Sequence, residues 1–250
     1  GVAQYLVGAG ADLAAKDEEG RTALMFAAYN GHVEVSKCLV GAGADIAAAR
    51  PNGSTALMFA AEEGHVEVAQ CLVGAGADIA AASPDGGTAL MFAAMSGHVE
   101  VARYLVGAGA DIAAARPDGK TALMLAAYNG HVGVAKYLVG AGADLAAARP
   151  DGKTAVMFAA QEGHVGVVQY LVGAGADIAA ARADGTTSLM FAAMHGHIEV
   201  LQYLVGAGAA VAAARPDGKT AVMFAAQEGN VELAQYLVGA GADLNTARPD

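Results

Sequence analysis

Apolar residues in this chain come in short stretches at helical spacing, separated by glycine-bounded breaks. In the segment 121–153, Leu123, Ala126 and Ala127 fall at i, i+3 and i+4, which lines one face of a helix. Thr121 stands ahead of them with a hydroxyl able to accept a hydrogen bond from an unpaired first-turn amide. Gly130 follows and supplies the left-handed conformation that ends a helix. The pattern predicts a helix over 122–129. Val134, Ala135, Leu138 and Val139 form a second stripe with Lys136 on the opposite side, predicting a helix over about 132–141 that Gly142 ends. The remainder carries Arg149-Pro150-Asp151-Gly152, with Pro second and Gly fourth in a type I turn, and predicts a hairpin-like finger.

This unit recurs. Gly, one variable residue and Thr begin at Gly20, Gly53, Gly86, Gly119, Gly152, Gly185 and Gly218, every interval being 33 residues. The expected organisation is one domain over 1–250, with a partial repeat 1–21 and seven repeats at 22–54, 55–87, 88–120, 121–153, 154–186, 187–219 and 220–250. Helices shorter than ~12–15 residues are marginal in water, so each repeat must be stabilised by its neighbours. The fold class expected is an all-α solenoid of stacked helix-turn-helix repeats with projecting fingers.

The run Asp118-Gly119-Lys120-Thr121-Ala122-Leu123-Met124-Leu125-Ala126-Ala127, then Gly130-His131-Val132, Tyr137-Leu138-Val139 and Gly142-Ala143-Asp144, resembles the ankyrin repeat, and the resemblance covers essentially the whole chain. It implies L-shaped units of antiparallel helices with a projecting β-hairpin, stacked into a slab that binds other proteins. Three departures stand out. Met25, Met58, Met91, Met124, Met157, Met190 and Met223 replace the family's usual His, removing its bond to the Thr. Ala47, Ala80, Ala113, Ala146, Ala179 and Ala212 replace an Asn that survives as Asn245, so thinner polar bonding between repeats is expected. Arg50, Arg116, Arg149, Arg182 and Arg215 stand where the family has Asp, which here survives as Asp17, and form a ladder along the fingers.

Composition narrows the function classes. A net charge of −11, with 14 Lys and Arg against 25 Asp and Glu, argues against general nucleic-acid binding, which depends on a basic surface. The longest uncharged runs, 121–135 and 200–214, fall short of the ~18–20 apolar residues of a bilayer span, so membrane insertion is not expected. Cys38 and Cys71 are too few for a disulfide framework, and no apolar leader precedes a cleavage site, so a reducing compartment, cytoplasm or nucleus, is expected.

The candidate chemistry reads as structure. His32, His65, His98, His131, His164 and His197 form a ladder at the start of the second helices. Packed helices lie ~10 Å apart, whereas zinc needs its His nitrogens at ~2.0–2.1 Å, so a structural role is expected and no metal. His195 and His197 are a close pair without a third ligand. The Gly-Ala-Gly-Ala-Asp segments follow helices rather than strands, unlike a nucleotide loop, and read as helix-ending turns. Cys38 and Cys71 share the second-helix slot of Tyr104, Tyr137, Tyr170, Tyr203 and Tyr236 and are expected to be buried thiols, too far apart to pair. The Met and Phe repeats read as core. Glu62 and Glu63 are adjacent on a helix and do not face each other. No nucleophile, base and orienter set emerges, so neither an enzyme nor a cofactor is expected.

Comparison among repeats shows where the chain varies. The pairs before the inter-helix glycine differ most: Tyr29-Asn30, Glu62-Glu63, Met95-Ser96, Tyr128-Asn129, Gln161-Glu162, Met194-His195 and Gln227-Glu228. Their order hints at an older three-repeat duplication. The resemblance implies that they lie on the concave face beside the finger residues Arg21, Ser54, Gly87, Lys120, Lys153, Thr186 and Lys219, where the family binds partners. Aromatic and Met anchors beside carboxylates and basic fingers suit a protein partner presenting basic and apolar side chains. A regulatory or targeting module of a larger enzyme or channel, and an engineered scaffold, are the alternatives. The apolar Val2, Leu6, Val7, Leu237 and Val238 near the ends predict end-to-end association if nothing caps them, with Asn230, Asn245 and Thr246 as the polar residues available for a C-terminal cap.

Overall fold

The computed structural model describes residues 2–243; Asn245 and Thr246, considered above as cap residues, lie outside the described residues. The chain divides into two compact units, 1–117 and 118–250. In the first unit a helix α1 (Val2–Gly8) is followed by three helix pairs: α2 (Ala23–Tyr29) with α3 (Val33–Gly41), α4 (Ala56–Glu62) with α5 (Val66–Gly74), and α6 (Ala89–Ser96) with α7 (Val99–Gly107). The second unit holds four pairs: α8 (Ala122–Tyr128) with α9 (Val132–Gly140), α10 (Ala155–Gln161) with α11 (Val165–Gly173), α12 (Ser188–His195) with α13 (Ile198–Gly206), and α14 (Ala221–Gln227) with α15 (Val231–Gly239). Within each unit the first helices of successive pairs pack side by side in one layer and the second helices in another, the arrangement of an all-α solenoid.

The first helix of each pair is more buried than its stripe predicts. In α8 every residue from Ala122 to Ala127 is buried, because the helix is enclosed by its own partner helix, its neighbour α10 and the finger. Ala126 and Ala127 are fully buried and small enough to let backbones approach. The second helices keep an amphipathic plan: Val134, Ala135 and Leu138 are buried, Val139 is half-buried and Lys136 is exposed. Cys38 and Cys71 are free and half-buried rather than buried, as Tyr137 in the same slot of α9 is half-buried.

The caps follow the sequence in part. Thr22, Thr55, Thr88, Thr121 and Thr187 each accept the amide of the Met three residues on, at 3.4 Å. Thr154 and Thr220 make no such bond, and their buried hydroxyls have no partner. Both precede Ala-Val-Met rather than Ala-Leu-Met, and nothing in the structure explains the difference. Each finger is less than a hairpin. The turn at Arg149 closes through Gly152 N–H donating to the Arg149 carbonyl at 2.8 Å. The strand character then reduces to one antiparallel bridge, as at Ala148 with Thr154, and no longer strand occurs among the described residues.

Polar bonding between repeats is not thin; it is rerouted to backbone carbonyls. His65 Nε2 donates to the Tyr29 carbonyl at 3.0 Å, His164 to that of Tyr128 at 2.9 Å and His197 to that of Gln161 at 2.9 Å. These rings sit against the inter-helix glycine of the preceding repeat: a Cβ on Gly31, whose φ is +71°, would meet the His65 ring at 2.6 Å. In the outer layer Tyr170 and Tyr203 hydroxyls donate to the carbonyls of Lys136 and Gln169, both at 3.3 Å. The glycine-rich segments are helix-ending turns, and Asp12, Asp45, Asp78, Asp111, Asp144 and Asp177 each close one by accepting the amide two residues on, as Asp144 does from Ala146 at 2.8 Å; Ala210 holds that place after α13.

Candidate functional site

The variable pairs end the first helices, where the chain turns away from the fingers. Capping at Thr and termination at the left-handed glycine therefore place them beside the finger bases, with a phenylalanine of the same helix between, or Leu125 in α8. In the first unit this builds two adjoining clefts. One, of about 410 Å³, is lined by Arg21, Met25, Phe26, Tyr29, Asn30, Arg50 and Phe59. The other, of about 490 Å³, is lined by Arg50, Asn52, Ser54, Phe59, Glu62, Ser83, Pro84, Asp85 and Phe92. Tyr29 and Phe59 meet edge to face, with centroids 6.1 Å apart, and Tyr29 remains half-exposed. Arg21, Tyr29, Asn30 and Glu62 thus come together with the rings. Glu63 is exposed but lines neither cleft, and Met95 and Ser96 are half-buried outside them.

In the second unit Tyr128 and Phe158 repeat the edge-to-face contact at 6.0 Å. Asn129 turns its amide back to the Leu125 carbonyl. Gln161 and Gln227 donate to their neighbours Glu162 and Glu228, at 2.7 and 3.1 Å. Lys219, Phe224 and Gln227 line a smaller cleft of about 190 Å³. Met194 is half-buried. His195 donates from Nδ1 to the Phe191 carbonyl, and its ring stacks on His197, centroids 6.3 Å apart.

The basic finger residues are not solvent-facing tips. They fold back from the finger base onto the phenylalanine rings, Arg21 lying 4.6 Å from the Phe26 centroid and Lys219 5.6 Å from that of Phe224. Lys120 pairs with Asp118 at 3.2 Å. Lys153 is buried, at 6% exposure, between Phe158 and Phe191, so its ammonium is withdrawn from any partner. The core role expected of the phenylalanines is incomplete, since Phe26 is exposed and Phe92 half-buried. The spacing of Phe26, Phe158 and Phe224, five residues after Arg21, Lys153 and Lys219, was the signal that the rings form the floor of the groove; Phe59, Phe92 and Phe191 stand at the same place after uncharged finger residues.

The arginine ladder is neutralised within each unit by acidic residues of the preceding finger and of its own, Arg149 reaching Asp151 at 4.0 Å and Arg215 reaching Asp217 at 3.4 Å. Arg50 pairs with Glu19 at 3.0 Å and Arg116 with Asp85. Arg182 pairs with Asp151 at 3.0 Å, and Arg215 reaches Asp184 at 4.0 Å. Glu62 stands apart, with no hydrogen bond or ion pair to any described residue. Burial, reinforced by the adjacent Glu63 carboxylate, pushes its carboxyl above the usual range.

The comparisons agree with this geometry. A family model described as ankyrin repeats in three copies matches residues 1–83, 39–116, 75–149, 108–182 and 157–248. A search of curated proteins returns no match. Among solved structures, the ankyrin repeat domain of human ASB11 superposes with a TM-score of 0.82 at 24% identity, covering 89% of this chain and 99% of that one, a likeness of fold. The helix pairs, single-turn fingers and family match together establish that the chain belongs to the ankyrin repeat family.

Proposed function

We propose that this chain is a non-catalytic protein-interaction module that receives its partner along the first-helix ends and finger bases. The observation that carries this reading is the pair of clefts in the first unit. The Phe26 and Tyr29 rings there remain open to solvent and Glu62, a carboxylate without a cation, lines the adjoining cleft, with exposed Glu63 next to it in sequence. Half-exposed aromatic residues anchor protein interfaces, and unpaired carboxylates steer basic segments toward them. The partner expected is a protein presenting basic and apolar side chains together. The free thiols of Cys38 and Cys71 suit a reducing compartment such as the cytoplasm or nucleus.

The test is affinity capture from cell lysate by two folded chains, the native one and a variant with Tyr29, Glu62, Glu63, Met95, Tyr128, Glu162 and Glu228 changed to Ala. A protein retained by the first and released by the second, with retention falling as salt rises, supports the reading. Equal retention by both overturns it.

A further inference from the structure

Lys153 shows what the groove between finger and first helix can hold. Its ammonium lies 4.3 Å from the Phe158 centroid and 4.4 Å from that of Phe191, and it donates to Gln161 Oε1. Arg182 adds a second cation over Phe191, at 5.9 Å. Three repeats earlier the corresponding residues are Ser54 for Lys153, Phe59 and Phe92 for the rings, Glu62 for Gln161 and Ser83 for Arg182. The aromatic frame is kept and both cations are gone. Ser54 has too short an arm to reach between the rings. Ser83 is occupied by Asp85 and by the Gly87 amide, which donates to it at 2.9 Å. The space left is the cleft of about 490 Å³ between Phe59 and Phe92.

Three other charged groups bear on this cleft. Arg50 lies 5.8 Å from the Phe59 centroid, but its guanidinium is held by Glu19. Asp85 is taken by Arg116. Glu62 alone is uncompensated, and it is a carboxylate where the occupied copy has a neutral amide. A position that lacks its own cation, keeps the two rings and adds a negative charge is complementary to an ammonium arriving from outside. A lysine stem also suits the ring-lined walls, since its methylenes pack on apolar surface while the charge goes to the carboxylate.

We propose that the cleft between Phe59 and Phe92 receives a lysine side chain of a partner protein, its ammonium against Glu62. This rests on the reading of the groove as the partner-binding face and names the chemistry of one position in it.

The experiment selects short random peptides displayed on phage against the intact chain. Selected peptides are then titrated against native protein, Ser54→Lys and Glu62→Gln, each checked for native thermal melting. Ser54→Lys supplies the missing cation from within, as Lys153 does in the second unit. The expected result is enrichment of peptides with a lysine among apolar residues. Their affinity should fall about tenfold on replacing that lysine by norleucine, and similarly in Ser54→Lys. Glu62→Gln should weaken them less and flatten their salt dependence. Peptides without a lysine preference, or bound equally by Ser54→Lys, overturn this proposal. Loss of such peptides on changing Tyr29 would then leave the broader function standing, whereas no enrichment at all counts against both.

Discussion

Burial between Phe158 and Phe191, with Arg182 nearby, holds the Lys153 amine down to about 8 from its usual 10.5. The unfolded chain keeps that proton up to pH 10.5 while the folded chain releases it near pH 8, so between these values the unfolded state binds more protons. Stability attributable to this residue therefore rises with pH across that window. Lys153→Met removes the penalty. The variant is expected to be more stable than the native chain below pH 8 by at most about 3 kcal/mol, the lead shrinking toward pH 10.5. Urea midpoints across this range measure it, and a pH-independent difference would show that burial does not penalise the ammonium. Composition and spacing placed Lys153 on the finger correctly but could not tell whether it points to solvent or between two rings. That depends on Phe191, which lies in the next repeat. The same holds for Gly31: its place at a helix end was legible, whereas the His65 ring packed against it was not.

Helix boundaries were legible almost to the residue, because Thr caps and glycine stops are local signals. Yet nearly identical local signals, Thr-Ala-Leu-Met and Thr-Ala-Val-Met, gave different caps. Thr55 accepts the Met58 amide, whereas the Thr154 hydroxyl is buried without a partner. Thr55→Val should cost about 1 kcal/mol of stability, while Thr154→Val should be neutral or stabilising, since it removes an unsatisfied buried group. Chemical denaturation of the two variants side by side checks this, and equal losses would mean that both hydroxyls are bonded. The fingers, expected to be hairpin-like, are turns with a single antiparallel bridge, as at Ala148 with Thr154. Their turns are local, but their seating depends on contacts such as the Pro150 ring of one finger lying against Gly119 of the one before. The expected loss of polar ties between repeats followed from missing Asn residues. The structure supplies those ties from His, Arg and Tyr side chains to carbonyls, acceptors that leave no trace in a sequence.

Within each unit, no helix pair buries its own surface. Leu171 in α11 is fully buried and packs in a layer flanked by α9 and α13. Leu171→Ala should cost 2–5 kcal/mol and reduce hydrogen-exchange protection in α9 and α13 as well as in α11, because repeat stability is a sum of intrinsic and neighbour terms. Protection lost in α11 alone would contradict this. The sequence by itself determined the repeat, the helix pairs, the turns, the family and the surface where repeats differ, because all of these are written in residue spacings within 33 positions. Only the tertiary structure decided which charges are spent and which are open. The Arg ladder is consumed by carboxylates of the fingers, the preceding one or its own, Lys153 is enclosed by rings, and Glu62 is left facing an open cleft. Those outcomes follow from distances between residues a full repeat apart, which stacking sets and which no local pattern encodes.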